Sequence, residues 1–170
     1  MVAADTRSTD FVTTRVFDAP PATLWSCFTE PERMKEWWGP KGSTIVASKM
    51  DFRVGGTYLG GMRGPDGQVM WAKFVYREIA PPKLLKWVHS FSNEAGGVTR
   101  HPIAPTWPLE MLTTVTFEDV PGGKTKLTLT WSPINASDEE QKTFDAAHGS
   151  MTGGWAGTFE RLDAYLAGAK

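Results

Sequence analysis

A periodic run of apolar side chains near the C-terminus limits the possible folds of this chain more than any other feature. Large apolar residues recur every three or four positions from Phe144 to Leu166, which is the period of one helix face. Ser137 stands three residues before Glu140, the spacing of a capping box, so the helix is predicted to begin there. The stripe consists of Phe144, Ala147, Met151, Trp155, Phe159, Leu162 and Leu166. One long helix cannot bury such a stripe alone, so other segments must cover it.

Four glycines interrupt this predicted helix, at Gly149, Gly153, Gly154 and Gly157. Each costs roughly 1 kcal/mol relative to Ala in a helix interior. Their presence therefore indicates close approach, bending or space beside Trp155. Two alternatives follow, since the space can admit either a strand backbone or a ligand.

The middle of the chain has the pattern of antiparallel strands. Leu127, Leu129 and Trp131 alternate with polar residues, which indicates a sheet with one dry face and one wet face. A long loop is predicted at 93–106. The predicted strands, separated by turns rich in Gly and Pro, are 11–17, 43–52, 57–63, 69–79, 84–91, 109–118 and 124–131.

Local signals add detail between these strands. Helices are predicted to start at Pro21 and near Pro31, since Pro suits the first turn of a helix. Consecutive helical residues diverge by about 100 degrees, so Trp37 and Trp38 are not both expected to face the core, and one should line a rim. The glycine pairs at 55–56 and 60–61 are predicted to be bulges that let the sheet curl.

These elements predict an α+β fold in a single domain. A curved antiparallel β-sheet of six to seven strands is expected to wrap around a long C-terminal α-helix, with two short helices after the first strand. Residues 10–170 are assigned to this domain. Residues 1–9 are polar and are predicted to be a flexible N-terminal arm.

Charge and cysteine content exclude several classes of function. The net charge is −1 and no basic run is present, which argues against nucleic acid or an anionic membrane surface as a partner. Cys27 is the single cysteine, so we expect no internal disulfide and a cytoplasmic location. No stretch approaches the roughly 20 apolar residues of a membrane span. We expect a monomer or a homodimer.

Five segments in this order resemble the START-like (SRPBCC) superfamily with its helix-grip fold. Within that superfamily, the chain is similar to the bacterial family that resembles the activator of heat-shock-protein-90 ATPase. The segments are 15–20 (RVFDAP), 37–40 (WWGP), 62–67 (MRGPDG), 78–82 (EIAPP) and 154–155 (GW) with Leu162 and 165–166 (YL). The superfamily contains binders, polyketide-cyclase-like enzymes, hydroxylases and co-chaperones. The resemblance therefore implies the fold, with a chaperone partner and a role in stress response as expectations.

The three histidines are the residues that could carry chemistry. His89 and His148 could converge on a metal with Glu78 or Glu110, but no metal-binding motif is present, so no metal or cofactor is expected. Either histidine could instead act as a general base or orient a polar ligand group. Cys27 lies on an apolar helix face, where a free cysteine is usually an inert small hydrophobe.

The leading functional hypothesis is binding of an apolar or aromatic small molecule in an internal cavity between the sheet and the C-terminal helix. Eight tryptophans and two histidines that could point inward favour it. One alternative is a co-chaperone-like interaction module, and another is a cyclase or hydrolase that uses His148 or His89. The predicted ligand-binding residues are Tyr58, Met62, Phe74, Trp87, His89, Met111, Phe117, His148, Met151, Trp155 and Phe159.

Overall fold

The computed structural model of the chain describes residues 10–102 and 104–169. The predicted arm at 1–9 lies outside the described residues. The element order confirms the predicted α+β class. In chain order the elements are β1 (Phe11–Phe17), α1 (Pro21–Thr29), α2 (Pro31–Met34), β2 (Thr44–Met50), β3 (Thr57–Arg63), β4 (Val69–Ala80), β5 (Leu84–Ser92), β6 (Val98–Thr99), β7 (Met111–Val120), β8 (Lys124–Pro133), α3 (Asp138–Ala146) and α4 (His148–Ala169).

The strands form one curved antiparallel sheet in the order β1-β8-β7-β5-β4-β3-β2, and β6 pairs with β5. The described sheet therefore has eight strands, including a short strand inside the predicted loop 93–106. A turn at Asn93 produces it, because the Asn93 side chain accepts hydrogen bonds from the backbone N–H groups of Ala95 and Gly97. A strand of two residues has no periodicity that a sequence pattern could reveal.

Register shifts lie at positions that the sequence did not indicate. One occurs between Ile45 and Ala47 in β2, and another between Tyr76 and Glu78 in β4. The glycines at 60–61 were predicted to be bulges, but they lie in regular pairing with β4. Their role is steric, since a Cβ atom at Gly60 would lie 2.8 Å from the aromatic ring of Tyr58.

The C-terminal helical region begins as predicted and then differs from the prediction. Ser137 and Glu140 form a capping box with both reciprocal hydrogen bonds, so the predicted start is confirmed. The predicted single helix is instead two helices, because α3 ends before Ala147 and α4 starts at His148. At the break, the N–H of Ala147 bonds to the carbonyl of Phe144, three residues back, which tightens the chain.

The core lies between the concave face of the sheet and α4. Phe159, Leu162 and Leu166 from α4 are almost fully buried against it. Phe159 meets Phe17 of β1 edge to face, with ring centroids 5.4 Å apart. An ion pair between Arg15 and Asp163, at 2.6 Å, also joins β1 to α4.

The two adjacent tryptophans are both buried, contrary to the expectation that only one would face the core. Trp37 is 0% exposed and Trp38 is 9% exposed, and their ring centroids are 5.3 Å apart. The expectation failed because α2 ends at Met34, so the angular spacing of a helix does not apply to them. The indole N–H of Trp37 donates to the carbonyl of Cys27 at 3.0 Å, which fixes this segment on α1.

Within the described residues, even the longest helix lacks the run of apolar side chains needed to cross a bilayer.

Candidate functional site

A cavity of about 410 Å³ lies between the sheet and α4. Strands β3, β4, β5 and β8 form one wall, the N-terminal half of α4 forms another, and the loops after α2 and β6 complete it. The lining residues are Trp38, Gly39, Pro40, Met62, Met70, Trp71, Ala72, His89, Phe91, Trp107, Trp131, Ala147, Ser150, Met151, Gly154, Trp155 and Thr158.

Three tryptophans form a rigid wall of this cavity. Trp155 of α4 meets Trp38 at 5.6 Å on one side and Trp131 of β8 at 5.5 Å on the other. Both contacts are T-shaped, with interplanar angles of 77° and 78°. Edge-to-face packing is favoured for aromatic rings, so each indole holds its neighbour in place. A ligand entering the cavity would contact preformed aromatic surfaces.

The loop that carries Trp38 is fixed from two directions. Gly39 has φ +101°, and a Cβ atom there would lie 2.4 Å from the sulfur of Met62, so only glycine fits. From α4, one guanidinium nitrogen of Arg161 donates to the carbonyls of Gly39 at 2.9 Å and Pro40 at 3.0 Å. The position of this wall therefore depends on Gly39, which is part of the lining, and on Arg161, a cation outside the lining.

The opposite rim is the segment before β7, which lies on α3. The hydroxyl groups of Thr106 and Thr143 are 2.8 Å apart, within hydrogen-bond distance. Arg100 forms an ion pair with Glu140. Trp107 lines the cavity, and its ring lies 5.7 Å from that of Phe144. These contacts hold an aromatic side chain over the junction between α3 and α4.

The glycines of α4 leave open space rather than admitting a strand. A Cβ atom built on Gly149, Gly153 or Gly154 would have no heavy atom within 4 Å, apart from its chain neighbours and the backbone of its own helix. Of the two alternatives raised by the sequence, close approach of a strand backbone is therefore wrong at these positions. Gly154 lines the cavity, between Ser150 and Thr158 on the same helix face.

The cavity lining contains no Lys, Arg, Asp or Glu among the described residues. His89 is the only titratable side chain among the described residues of the lining, and burial lowers the pKa of its imidazole from 6.5 to about 4. The ring lies among Phe74 at 5.6 Å, Phe91 at 6.1 Å and Trp131 at 5.6 Å. The imidazole is therefore neutral at neutral pH and can donate one hydrogen bond and accept another.

Four of the predicted ligand-binding residues line the cavity: Met62, His89, Met151 and Trp155. A second group lies behind the lining. Phe74 stacks on Trp87 with ring centroids 4.6 Å apart and contacts Tyr58 at 4.9 Å. These three side chains support the wall around His89 rather than facing the space.

The other predicted residues lie elsewhere in the core. Met111, Phe117 and Phe159 are buried at 3% exposure or less. His148 is wedged between Phe11 at 5.9 Å and Phe144 at 5.3 Å. The break at Ala147 accounts for this position of His148, because it sets α3 and its Phe144 against the first residue of α4. The structure does not bring the His89 and His148 side chains together on the cavity.

Several lining residues were absent from the sequence-based set, including Trp71, Phe91, Trp107 and Ala147. The tryptophan content was the available signal, since five of the eight tryptophans line the cavity: Trp38, Trp71, Trp107, Trp131 and Trp155. They lie on two strands, two loops and helix α4, so no local pattern connects them.

Other chemical groups of the described chain do not form a reactive centre. No three His, Cys, Asp or Glu side chains among residues 10–102 and 104–169 cluster as metal ligands. Cys27 is buried, and burial raises the pKa of its thiol to about 11. It is therefore a protonated core side chain at neutral pH.

Comparison with solved structures shows the same fold in bacterial proteins. A protein from Arthrobacter aurescens has a TM-score of 0.76 and 26% identity over 95% of this chain and 90% of that chain. A protein from Nitrosomonas europaea has a TM-score of 0.75 and 22% identity over 96% and 98%. An AHSA1 protein from Silicibacter pomeroyi has a TM-score of 0.68 and 18% identity over 95% and 99%. At such identities the likeness concerns the fold.

No curated protein sequence matches the chain significantly. Residues 18–167 match the family described as Activator of Hsp90 ATPase homolog 1-like protein. The match runs from the end of β1 to the last turns of α4 and so includes every element around the cavity. The chain therefore belongs to the family of activator of Hsp90 ATPase homolog 1-like proteins, within the START-like superfamily.

Proposed function

We propose that this protein binds an apolar or aromatic small molecule in the cavity between the sheet and α4. The observation that carries the proposal is the cavity itself, about 410 Å³ in volume and lined by aromatic and aliphatic side chains without a charged residue. Small-molecule sites commonly measure about 300–1,000 Å³, with a mostly apolar lining and few polar groups. Membership of this family is compatible with a ligand-binding or a co-chaperone-like module.

A packing defect is a poorer explanation of this space. Protein interiors are close-packed, and the voids in them are few and small. Here Gly154 keeps α4 open beside the cavity, although glycine lowers helix stability by roughly 1 kcal/mol relative to Ala. A ligand that fills the space would recover the apolar contacts that the lining lacks.

The test blocks the cavity from the helix side. Both glycines are exposed, but only Gly154 lines the cavity. Gly154→Leu therefore adds a side chain at a lining position, whereas Gly153→Leu adds the same side chain at the neighbouring position outside the lining. The probe is N-phenyl-1-naphthylamine, a neutral aromatic dye that fluoresces in apolar surroundings. We expect saturable 1:1 binding to the wild type and to Gly153→Leu, with tryptophan emission quenched as dye emission rises.

In Gly154→Leu we expect at least a tenfold loss of dye affinity with the fold retained in circular dichroism. If the dye does not bind to the wild type, the proposal is contradicted. Equal affinity in both leucine variants would also contradict it, because the dye would then bind outside the cavity.

A co-chaperone-like interaction is the second candidate, and membership of the family supports it. Its test is the ATPase rate of a purified bacterial Hsp90 with and without this protein. Stimulation, together with binding in a pull-down, would support the interaction. No binding at tens of micromolar would contradict it.

The cyclase or hydrolase hypothesis has less support from the site. His89 has no carboxylate beside it in the cavity lining. The Nε2 atom of His148 is buried without a hydrogen-bond partner among the described residues, away from the cavity. General acid–base catalysis requires a side chain within hydrogen-bond reach of the reacting group. His148 is not among the described residues that line this cavity.

A further inference from the structure

We infer that the cavity selects a neutral compound of two or three fused aromatic rings that carries one hydroxyl or carbonyl group, and that this group hydrogen-bonds to His89. The inference rests on the proposed ligand-binding function and specifies its ligand class. Three features of the cavity carry it: its volume, the absence of charge in its lining and the environment of His89.

The volume sets the size of the ligand. An apolar cavity of about 150 Å³ holds one benzene molecule. A cavity of about 410 Å³ therefore has room for two or three fused rings. The indoles of Trp38, Trp131 and Trp155 supply aromatic faces and edges on one side, and Phe91 lies on another. Flat aromatic ligands gain offset-stacked or edge-to-face contacts from such walls.

The lining sets the charge of the ligand. None of the described residues around the cavity is Lys, Arg, Asp or Glu. Arg161, which reaches the Trp38 loop from α4, donates its guanidinium N–H groups to the backbone carbonyls of that loop. An anion or cation that left water for this space would have no counter-charge, and burying an unpaired charge is strongly unfavourable. A neutral ligand avoids that penalty.

His89 sets the position of the polar group. Within the described chain, the structure shows three aromatic rings around its imidazole and no hydrogen bond to it. Of the two hydroxyl side chains in the lining, Thr158 donates to the carbonyl of Gly154, and Ser150 is exposed to solvent. The indole N–H groups of the lining tryptophans can donate a hydrogen bond but cannot accept one, whereas a neutral imidazole can do both. A ligand hydroxyl or carbonyl beside His89 would pair with a half-buried imidazole that has no hydrogen bond to the described chain.

The test uses three naphthalenes substituted at the same ring position, at pH 7. The compounds are 2-naphthol, 2-methylnaphthalene and 2-naphthoate, which present a hydroxyl, a methyl and a carboxylate group at the same ring position. Affinity is measured by displacement of N-phenyl-1-naphthylamine from the wild type. We expect 2-naphthol to bind about tenfold tighter than 2-methylnaphthalene, the size of one net hydrogen bond. We expect 2-naphthoate to bind at least a hundredfold more weakly than 2-naphthol.

Variants of His89 then assign the preference to its ring. His89→Phe keeps an aromatic side chain and removes both nitrogens, so we expect 2-naphthol and 2-methylnaphthalene to bind it equally. His89→Gln keeps a neutral group that can donate and accept, and we expect it to retain part of the preference. His89→Leu serves as the second apolar variant if the phenylalanine variant fails to fold.

The outcomes separate this inference from the proposed function. If the dye does not bind the wild type, the proposed function fails and the ligand class fails with it. If the dye binds but 2-methylnaphthalene equals 2-naphthol, cavity binding stands and the role of His89 is overturned. If 2-naphthoate binds as tightly as 2-naphthol, the requirement for a neutral ligand is overturned. An unchanged preference for 2-naphthol in His89→Phe would likewise overturn the assignment to His89.

Discussion

The two halves of α4 carry the same apolar stripe but meet different surroundings. In the C-terminal half, Phe159, Leu162 and Leu166 are almost fully buried against the sheet. In the N-terminal half, Met151 and Trp155 are also largely buried, yet they border a cavity of about 410 Å³. We call these the filled half and the open half of the helix. The apolar period alone therefore does not distinguish a core from a binding site.

The residues between the stripe positions account for the difference. Beside Met151 and Trp155, the open half presents Ser150 and Gly154 to the cavity, and Ala147 lies just before the helix at the break, so the side chains there are small or absent. The loops opposite them supply Trp38 and Trp107, which close the space at its rims without filling it. The filled half is instead met by β1 itself, through contacts such as Phe17 on Phe159. Small residues on one side and large rings on the other leave a defined space.

The largest expected effect is a difference in core truncation between the two halves. Leu162→Ala removes a side chain that is 0% exposed, and we expect a loss of about 2–5 kcal/mol in the free energy of unfolding. Met151 borders space that is already empty, so Met151→Ala removes fewer atomic contacts. We expect it to lower the free energy of unfolding by less than about 2 kcal/mol. Urea unfolding monitored by tryptophan fluorescence measures both.

The same two variants also test the division of roles. Met151→Ala should still bind the naphthylamine dye, because the substitution enlarges the cavity. In Leu162→Ala, stability should change more than dye binding. Equal losses of stability in the two variants would show that the open half is as tightly filled as the other.

The second prediction concerns pH and the cavity beside the open half, where His89 of β5 lies. Burial lowers the pKa of His89 to about 4 in the folded protein, against 6.5 for an ordinary histidine. Between these values the unfolded chain binds a proton that the folded chain does not, so stability falls as pH decreases. From pH 6.5 to pH 5 we expect a loss on the order of 1 kcal/mol from this group.

Unfolding in urea at a series of pH values measures this loss, and His89→Phe is the matched variant. Partial burial also lowers the pKa of His101, so a smaller loss with the same sign should remain in that variant. A pH slope that is identical in wild type and His89→Phe would contradict the burial of a neutral imidazole in the cavity wall.

The filled half could be predicted from sequence because its determinants are local. The stripe period placed Phe159, Leu162 and Leu166 on one helix face, and the capping box at Ser137 and Glu140 fixed the start of the helical region. Strand β3 was predicted with its observed bounds, Thr57–Arg63, since turn residues flank it on both sides. Each of these signals lies within a few residues of the element it describes.

The open half was harder to predict because its determinants are distant in sequence. The break at Ala147 leaves the spacing of the stripe intact, so periodicity cannot reveal it, although it sets Phe144 against His148. The cavity joins side chains as far apart in sequence as Trp38, Trp107 and Trp155. The sequence showed that tryptophan is abundant and that α4 has glycines, but only the tertiary arrangement shows where these two features meet.

The smallest expected effect comes from the glycines of the open half that lie outside the cavity lining. Gly149→Ala and Gly153→Ala place a methyl group where no heavy atom lies within 4 Å beyond the surrounding helix. Each should raise the free energy of unfolding by roughly 0.5–1 kcal/mol, because alanine favours the helix and nothing opposes its side chain. Gly39→Ala makes the same chemical change at φ +101° against the sulfur of Met62, and it should be destabilising. Thermal unfolding of the three variants measures these signs. If Gly149→Ala and Gly153→Ala instead lowered stability, the open half would depend on backbone freedom, and its space could not be attributed to missing side chains alone.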